Sequence, residues 1–101
     1  MATIPVTLPR QEIEQFCRRN HIRKLSLFGS ILTDRFRPES DIDVLVEFEP
    51  GKTPGFFGIV GMELELTDKF RRKVDLRTPE DLSRYFRDQV VSTAAVQYER
   101  Q

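Results

Sequence analysis

Residues 27–48 read LFGSILTDRFRPESDIDVLVEF, and the fold turns on how this stretch divides. Leu25 to Phe28 are apolar and predict a strand that stops at Gly29. Gly29 has no Cβ, so backbone and a bulky anion can approach closely there. Ser30 opens a short helical turn, whose free backbone N–H groups favour a phosphate. Ten residues then separate Gly29-Ser30 from Asp41-Ile42-Asp43, which begin a second strand. Side chains two apart on a strand leave the same face, about 6.7 Å apart at the backbone. Two carboxylates placed so suit a pair of divalent ions, which sit roughly 3.5–4 Å apart in two-metal sites. A phosphate-binding turn facing two such carboxylates predicts a site for a metal–nucleoside triphosphate.

Alternation assigns the faces. In the second strand Ile42, Val44, Val46 and Phe48 form one apolar face, and Asp41, Asp43, Leu45 and Glu47 form the other. Leu25 and Leu27 point to one side of the first strand, Ser26 and Phe28 to the opposite side. The apolar face is expected to pack on helices and the other to carry the site. The plain alternative for Asp41 and Asp43 is a half-exposed strand with two surface aspartates. Asp is depleted in strands, because it competes for backbone hydrogen bonds and repels a like charge nearby. Two on one face therefore call for a cation or cationic partners. Val74 and Leu76 flank Asp75 in a third apolar alternation, which makes Asp75 a candidate third carboxylate. Periodicity supports its face but not its distance from the pair. Gly29 as a strand-ending glycine and Ser30 as a simple N-cap are both compatible with phosphate binding.

The rest of the chain reads as connecting structure. Residues 1–8 are expected to be a loose lead-in. Pro9 suits the first turn of a helix in which Ile13, Phe16 and Cys17 share one face. Asn20-His21 ends it, and a structural role suits His21, since no partner stands at metal-ligand spacing. Cys17 is read as a core residue rather than a nucleophile. Glu47 is read as a solvated strand residue. Turn chemistry at Glu49-Pro50-Gly51 and Thr53-Pro54-Gly55 predicts a loop, which either covers a nucleotide or only connects two elements. A helix follows, with Ile59, Met62, Leu66 and Phe70 at helical spacing and Phe56, Phe57, Val60 and Leu64 broadening the apolar stripe. The basic run Lys69 to Lys73 is read first as a solvated helix end, with a triphosphate or partner contact as the alternative. Thr78-Pro79-Glu80-Asp81 predicts a helix cap. Leu82, Phe86 and Val90 then carry a helical pattern to about Tyr98, with a break near Arg87-Asp88, and Tyr98 is expected to pack or cap the tail.

Bulk properties narrow the function. The chain has 101 residues, enough for one domain over 1–101 with a modest core. Sixteen basic and sixteen acidic residues cancel. A neutral chain has no broad footprint for nucleic acid, so direct nucleic-acid binding is not expected. One cysteine excludes an internal disulfide and fits a reducing cytoplasm. No apolar run is long enough to span a bilayer, and no signal-peptide pattern is present.

The Gly29-Ser30 pair, the ten-residue gap and the Asp41-Ile42-Asp43 run resemble the signature of the polymerase β-like nucleotidyltransferase superfamily. The SDIDVLVEFEPG and KVDLRTPEDLSRYFRDQV runs, in so short a chain, resemble its minimal nucleotidyltransferase (MNT) branch over about residues 9–98. The resemblance implies an α/β (α+β) fold, a small mixed sheet with helices packed on one face. It implies that Gly29 and Ser30 hold a triphosphate, and that Asp41, Asp43 and Asp75 hold two Mg²⁺ ions, with Mn²⁺ as a substitute. Asp75 would also help activate the attacking hydroxyl. It further implies transfer of AMP from ATP to a tyrosine of a partner HEPN toxin, with this chain as the antitoxin. A non-catalytic antitoxin acting by contact is the alternative, and transfer to a small molecule such as an antibiotic is a third. Many relatives carry Arg-Gly where this chain has Thr33-Asp34, which leaves Arg35 or Arg37 as candidate substitutes for that arginine. Homo-oligomerisation stays open.

Overall fold

The computed structural model describes residues 9–100; the lead-in expected for residues 1–8 lies outside them. Helix α1 (Arg10–Arg19) leads into strand β1 (Ile22–Phe28) and a 3-10 turn (Gly29–Leu32). Then come β2 (Ile42–Phe48), α2 (Phe56–Phe70), β3 (Val74–Arg77), a second 3-10 turn (Pro79–Asp81), α3 (Arg87–Thr93) and β4 (Ala95–Glu99). The strands form one sheet in the order β3-β2-β1-β4. β1 is antiparallel to both β2 and β4, while β2 and β3 are parallel. Two parallel neighbours need a crossover, and α2 supplies it. The result is the small mixed α/β sheet that the family resemblance implies.

The helices follow from where their apolar residues fall. Ile13, Phe16 and Cys17 are the buried residues of α1, and Met62, Leu66 and Phe70 those of α2. They join Leu25, Leu27, Ile42, Val44, Val46, Val74 and Leu76 in one core, so α1 and α2 cover the same face of the sheet. Burial pushes the Cys17 thiol up to about 12, which makes it a packing residue with little thiolate. His21 takes a left-handed backbone (φ 57) in the turn after α1, the structural role expected of it.

Two expectations are corrected. Phe56, Phe57 and Leu64 do not join the core stripe of α2; they are 75%, 86% and 66% exposed. The predicted helix through Tyr98 is also wrong. The expected cap at Thr78 is present, with Thr78 N and Oγ1 both donating to Asp81 Oδ2 at 3.0 and 3.1 Å. It starts only one 3-10 turn. Arg87 then donates to Pro79 O at 2.7 Å and Leu82 O at 3.0 Å, tying the chain back before α3 begins. Ala95–Glu99 extends as β4 because β1 has a second backbone edge that needs pairing. Tyr98 packs against the core from this strand.

The outer edge of β3 is closed by α2. Glu63 Oε2 accepts Leu76 N–H at 2.7 Å, and Thr67 Oγ1 accepts Val74 N–H at 3.0 Å. These bonds occupy donors that an incoming strand would otherwise use. Glu63→Ala is expected to destabilise the fold by about 1–3 kcal/mol, the cost of losing a charged acceptor to a half-buried amide. Urea denaturation measures this, and hydrogen exchange at Leu76 N–H is expected to accelerate with it.

Candidate active site

Sheet register assembles the candidate site. Phe28 pairs with Asp43 across β1 and β2, and Asp43 pairs with Asp75 across β2 and β3. Adjacent strands lie about 4.8 Å apart, so the two aspartates stand side by side on the face away from α1 and α2. Gly29 follows Phe28 directly and takes φ +79, a left-handed conformation that favours glycine. A Cβ added there would overlap the Asp43 carboxylate oxygen. The turn and the carboxylate are therefore in direct contact, and only glycine permits it. Ser30 is partly exposed in the first residues of the turn.

Asp41 lies just before β2, half-exposed, with its Oδ2 3.8 Å from Lys73 Nζ. The basic run is thus not simply a solvated helix end. Lys73 faces Asp41, Lys69 faces Glu65, and the Arg72 guanidinium lies 4.6 Å over the Phe36 ring. Arg72 also donates to Arg37 O at 3.4 Å, which ties the connection between α2 and β3 to the loop between the turn and β2. Thr33 closes that turn through its Oγ1, which donates to Ser30 O at 2.8 Å and accepts Arg35 N–H at 3.1 Å. Arg35 and Arg37 are exposed on this loop. Glu47, expected to be solvated, instead pairs with Arg23 at 2.7 Å.

Asp43 carries the electrostatic strain of the face. Burial raises its carboxyl pKa above the ordinary value, the charges of Asp75 and then Asp41 raise it further, and Arg77 opposes them. Arg77 went unremarked in the sequence, although alternation from Asp75 places it on the same face. Its register partner is Leu45, one step beyond the Asp43–Asp75 pair and away from Gly29. The donor chemistry fits a hard divalent cation, since clustered carboxylates that repel one another gain from one between them. Among the described residues no three acidic, histidine or cysteine side chains close into a ready-made ligand cage. The structure brings Asp43 and Asp75 together and leaves Asp41 turned to Lys73.

Comparison with known proteins bears on the family and the fold. Residues 11–101 match the family profile "Polymerase beta, Nucleotidyltransferase". The chain belongs to that family. The nucleotidyltransferase is 27% identical over 85 residues to a Methanocaldococcus jannaschii protein that bears the provisional name of a protein adenylyltransferase. That match covers 84% of this chain and 89% of the relative. A solved structure described as a minimal nucleotidyltransferase superposes with TM-score 0.69 at 29% identity, covering 84% of this chain and 85% of that one. A chain from a toxin–antitoxin complex with AMP-PNP gives TM-score 0.74 at 24% identity, over 93% and 76% of the two chains. A third comes from a Shewanella oneidensis complex of a tri-AMPylated HEPN toxin with its MNT antitoxin: TM-score 0.65, 23% identity, 91% and 71% coverage. The last two likenesses establish the fold. Among the described residues, no helix of the nucleotidyltransferase is long and apolar enough to cross a membrane.

Two outcomes follow from the geometry. Gly29→Ala is expected to cost about 1–2 kcal/mol from the left-handed backbone alone, and to displace Asp43. In a double-mutant cycle by thermal melting, Asp43→Ala is expected to relieve part of the Gly29→Ala cost. The second concerns pH. A carboxyl raised above its unfolded value penalises the fold where it must ionise, so stability falls as pH rises through that range. Asp43→Asn is therefore expected to raise Tm in metal-free buffer at pH 7. That gain should disappear below about pH 3.8, the ordinary value for Asp.

Proposed function

We propose that this chain transfers AMP from ATP to a tyrosine hydroxyl of a partner HEPN-domain toxin and acts as the antitoxin of that pair. The contact between the Gly29 turn and the Asp43 carboxylate, with Asp75 beside it, carries the reading. In it, the turn at Gly29 and Ser30 holds the triphosphate through backbone N–H groups and the Ser30 hydroxyl. Asp41, Asp43 and Asp75 would hold Mg²⁺, Asp41 giving up its contact with Lys73 to do so. Held by these carboxylates, the ion would supply charge neutralisation at the reacting phosphates. The attacking oxygen forms a bond to the α-phosphorus, the bond to the β-phosphate oxygen breaks, and pyrophosphate leaves. Asp75 accepts the hydroxyl proton. The family match, the provisional name of the M. jannaschii relative and the AMPylated toxin in the S. oneidensis complex support this choice of donor, acceptor and partner.

The exposed Phe56, Phe57 and Leu64 favour a second reading, in which the chain neutralises its partner by contact alone. One experiment separates the two. Asp41→Asn with Asp43→Asn keeps side-chain volume but removes two ligand charges. The double variant is expected to pull down the toxin, yet to lose transfer of labelled AMP by about a hundredfold or more and to leave the toxin active. Full protection by the double variant, with no AMP mass shift on the toxin even with wild-type protein, would replace enzyme with binding module.

A further inference from the structure

The basic run Lys69 to Lys73 sends its charges to different places. Lys69 faces Glu65 at 3.9 Å, and Arg72 lies over the Phe36 ring. Lys73 meets a candidate metal ligand: its Nζ stands 3.8 Å from Asp41 Oδ2. The backbone fixes this encounter. Ile42 N–H donates to Lys73 O at 2.9 Å, and Ile42 pairs with Val74 in the parallel ladder. Asp41 and Lys73, the residues just before those two strands, are therefore neighbours. β1 runs the opposite way and pairs Phe28 with Asp43, so it delivers Gly29 and Ser30 to the same end of the sheet. The candidate phosphate turn, a carboxylate and an ammonium thus follow one another across β1, β2 and β3. Arg77, the last residue of β3, lies at the far end.

The Lys73–Asp41 contact is weak. It is too long for a hydrogen bond, and the two side chains are 70% and 42% exposed. Such a pair holds Asp41 loosely and leaves the ammonium able to turn on its four-carbon stem. What it does to an incoming species depends on the sign of that species. A free divalent ion competes with Lys73 for Asp41 and is repelled by its charge. A metal–triphosphate complex is net negative, so the three carboxylates oppose it and a nearby ammonium attracts it. Lysine serves phosphates as a point charge, without the fixed geometry that arginine demands.

We infer that Lys73 makes metal binding at this site depend on the nucleotide: it opposes a free divalent ion at Asp41 and passes to the triphosphate when ion and nucleotide arrive together. This rests on the triphosphate-binding part of the AMP-transfer reading, and adds the residue that selects the metal–nucleotide complex over the bare ion. Ion and nucleotide are then coupled through one side chain, which costs the first and favours the second.

Two titrations test it. Mn²⁺ alone is followed by the EPR signal of the free ion, and α,β-methylene-ATP in excess Mg²⁺ is followed by calorimetry. Lys73→Met keeps the stem and removes the charge. It is expected to bind Mn²⁺ about two- to fivefold more tightly, the range of an exposed ion pair. It is expected to bind the analogue about five- to tenfold more weakly. Lys73→Arg is expected to return both values toward wild type. Lys69→Met makes the same charge change beside Glu65, and screening is expected to hold its effect on either value below about twofold. Equal shifts in Lys69→Met and Lys73→Met assign the effect to the general field and overturn the inference. A fall of both affinities in Lys73→Met, or an unchanged value in either titration, overturns it too. AMP transfer to the partner, run on the same proteins, keeps the two ideas apart. Opposite shifts in Lys73→Met without any wild-type transfer keep Lys73 in this role and reject the reading. Wild-type transfer with no shift in either titration rejects the role and keeps the reading.

Discussion

The parallel pairing of β2 with β3 is the constraint on which the rest of the molecule depends. It sets Asp43 beside Asp75, two like charges that a relaxed sheet would keep apart. A parallel neighbour cannot be reached by a hairpin, so the chain must leave the sheet and return through α2. That crossover buries Met62, Leu66 and Phe70 over the sheet's apolar face and closes the β3 edge through Glu63 and Thr67. Core packing and candidate site are thus two consequences of one connection. The helix that stabilises the sheet also holds the repelling carboxylates in place.

The charge on the site face is balanced at its margins. Lys73 faces Asp41 at one end, and Arg77 acts on Asp43 from the other. Both come from residues 73–77, so one short segment delivers one carboxylate and the two cations that flank the cluster. The raised Asp43 carboxyl marks the residual cost, and such local conflict is common where a site is kept for chemistry at the expense of stability. A divalent cation would relieve that conflict, because it answers the carboxylates with opposite charge.

Helix α2 divides its labour by face. Inward residues fill the core, Glu63 serves the sheet edge, and Phe56 and Phe57 stand in the open at the first turn. Their rings pack edge-on to one another, 5.6 Å between centroids. Apolar side chains so exposed are better explained by a partner surface than by the core.

Much was legible before any coordinates. Strand alternation separated Val44 and Val46 from Asp43 because the strand period is two and the two faces meet different solvents. Gly29 stood out because a glycine between an apolar strand and a polar turn has few other uses. Helical spacing over-reached twice. It drew Phe56, Phe57 and Leu64 into a core stripe, because spacing shows that residues share a side but not what that side meets. It also carried a helix through Ala95–Glu99, because AVQYE has strand alternation as well, and only the vacant edge of β1 decides for the strand. The distances within the site belong to the same class. The sequence by itself determined which residues share a face, since that is a local property of the backbone. Tertiary structure alone decided that Asp75 stands beside Asp43, that Lys73 turns to Asp41 and that Gly29 meets the Asp43 carboxylate, because those contacts join residues whose separation in the chain carries no record of their separation in space.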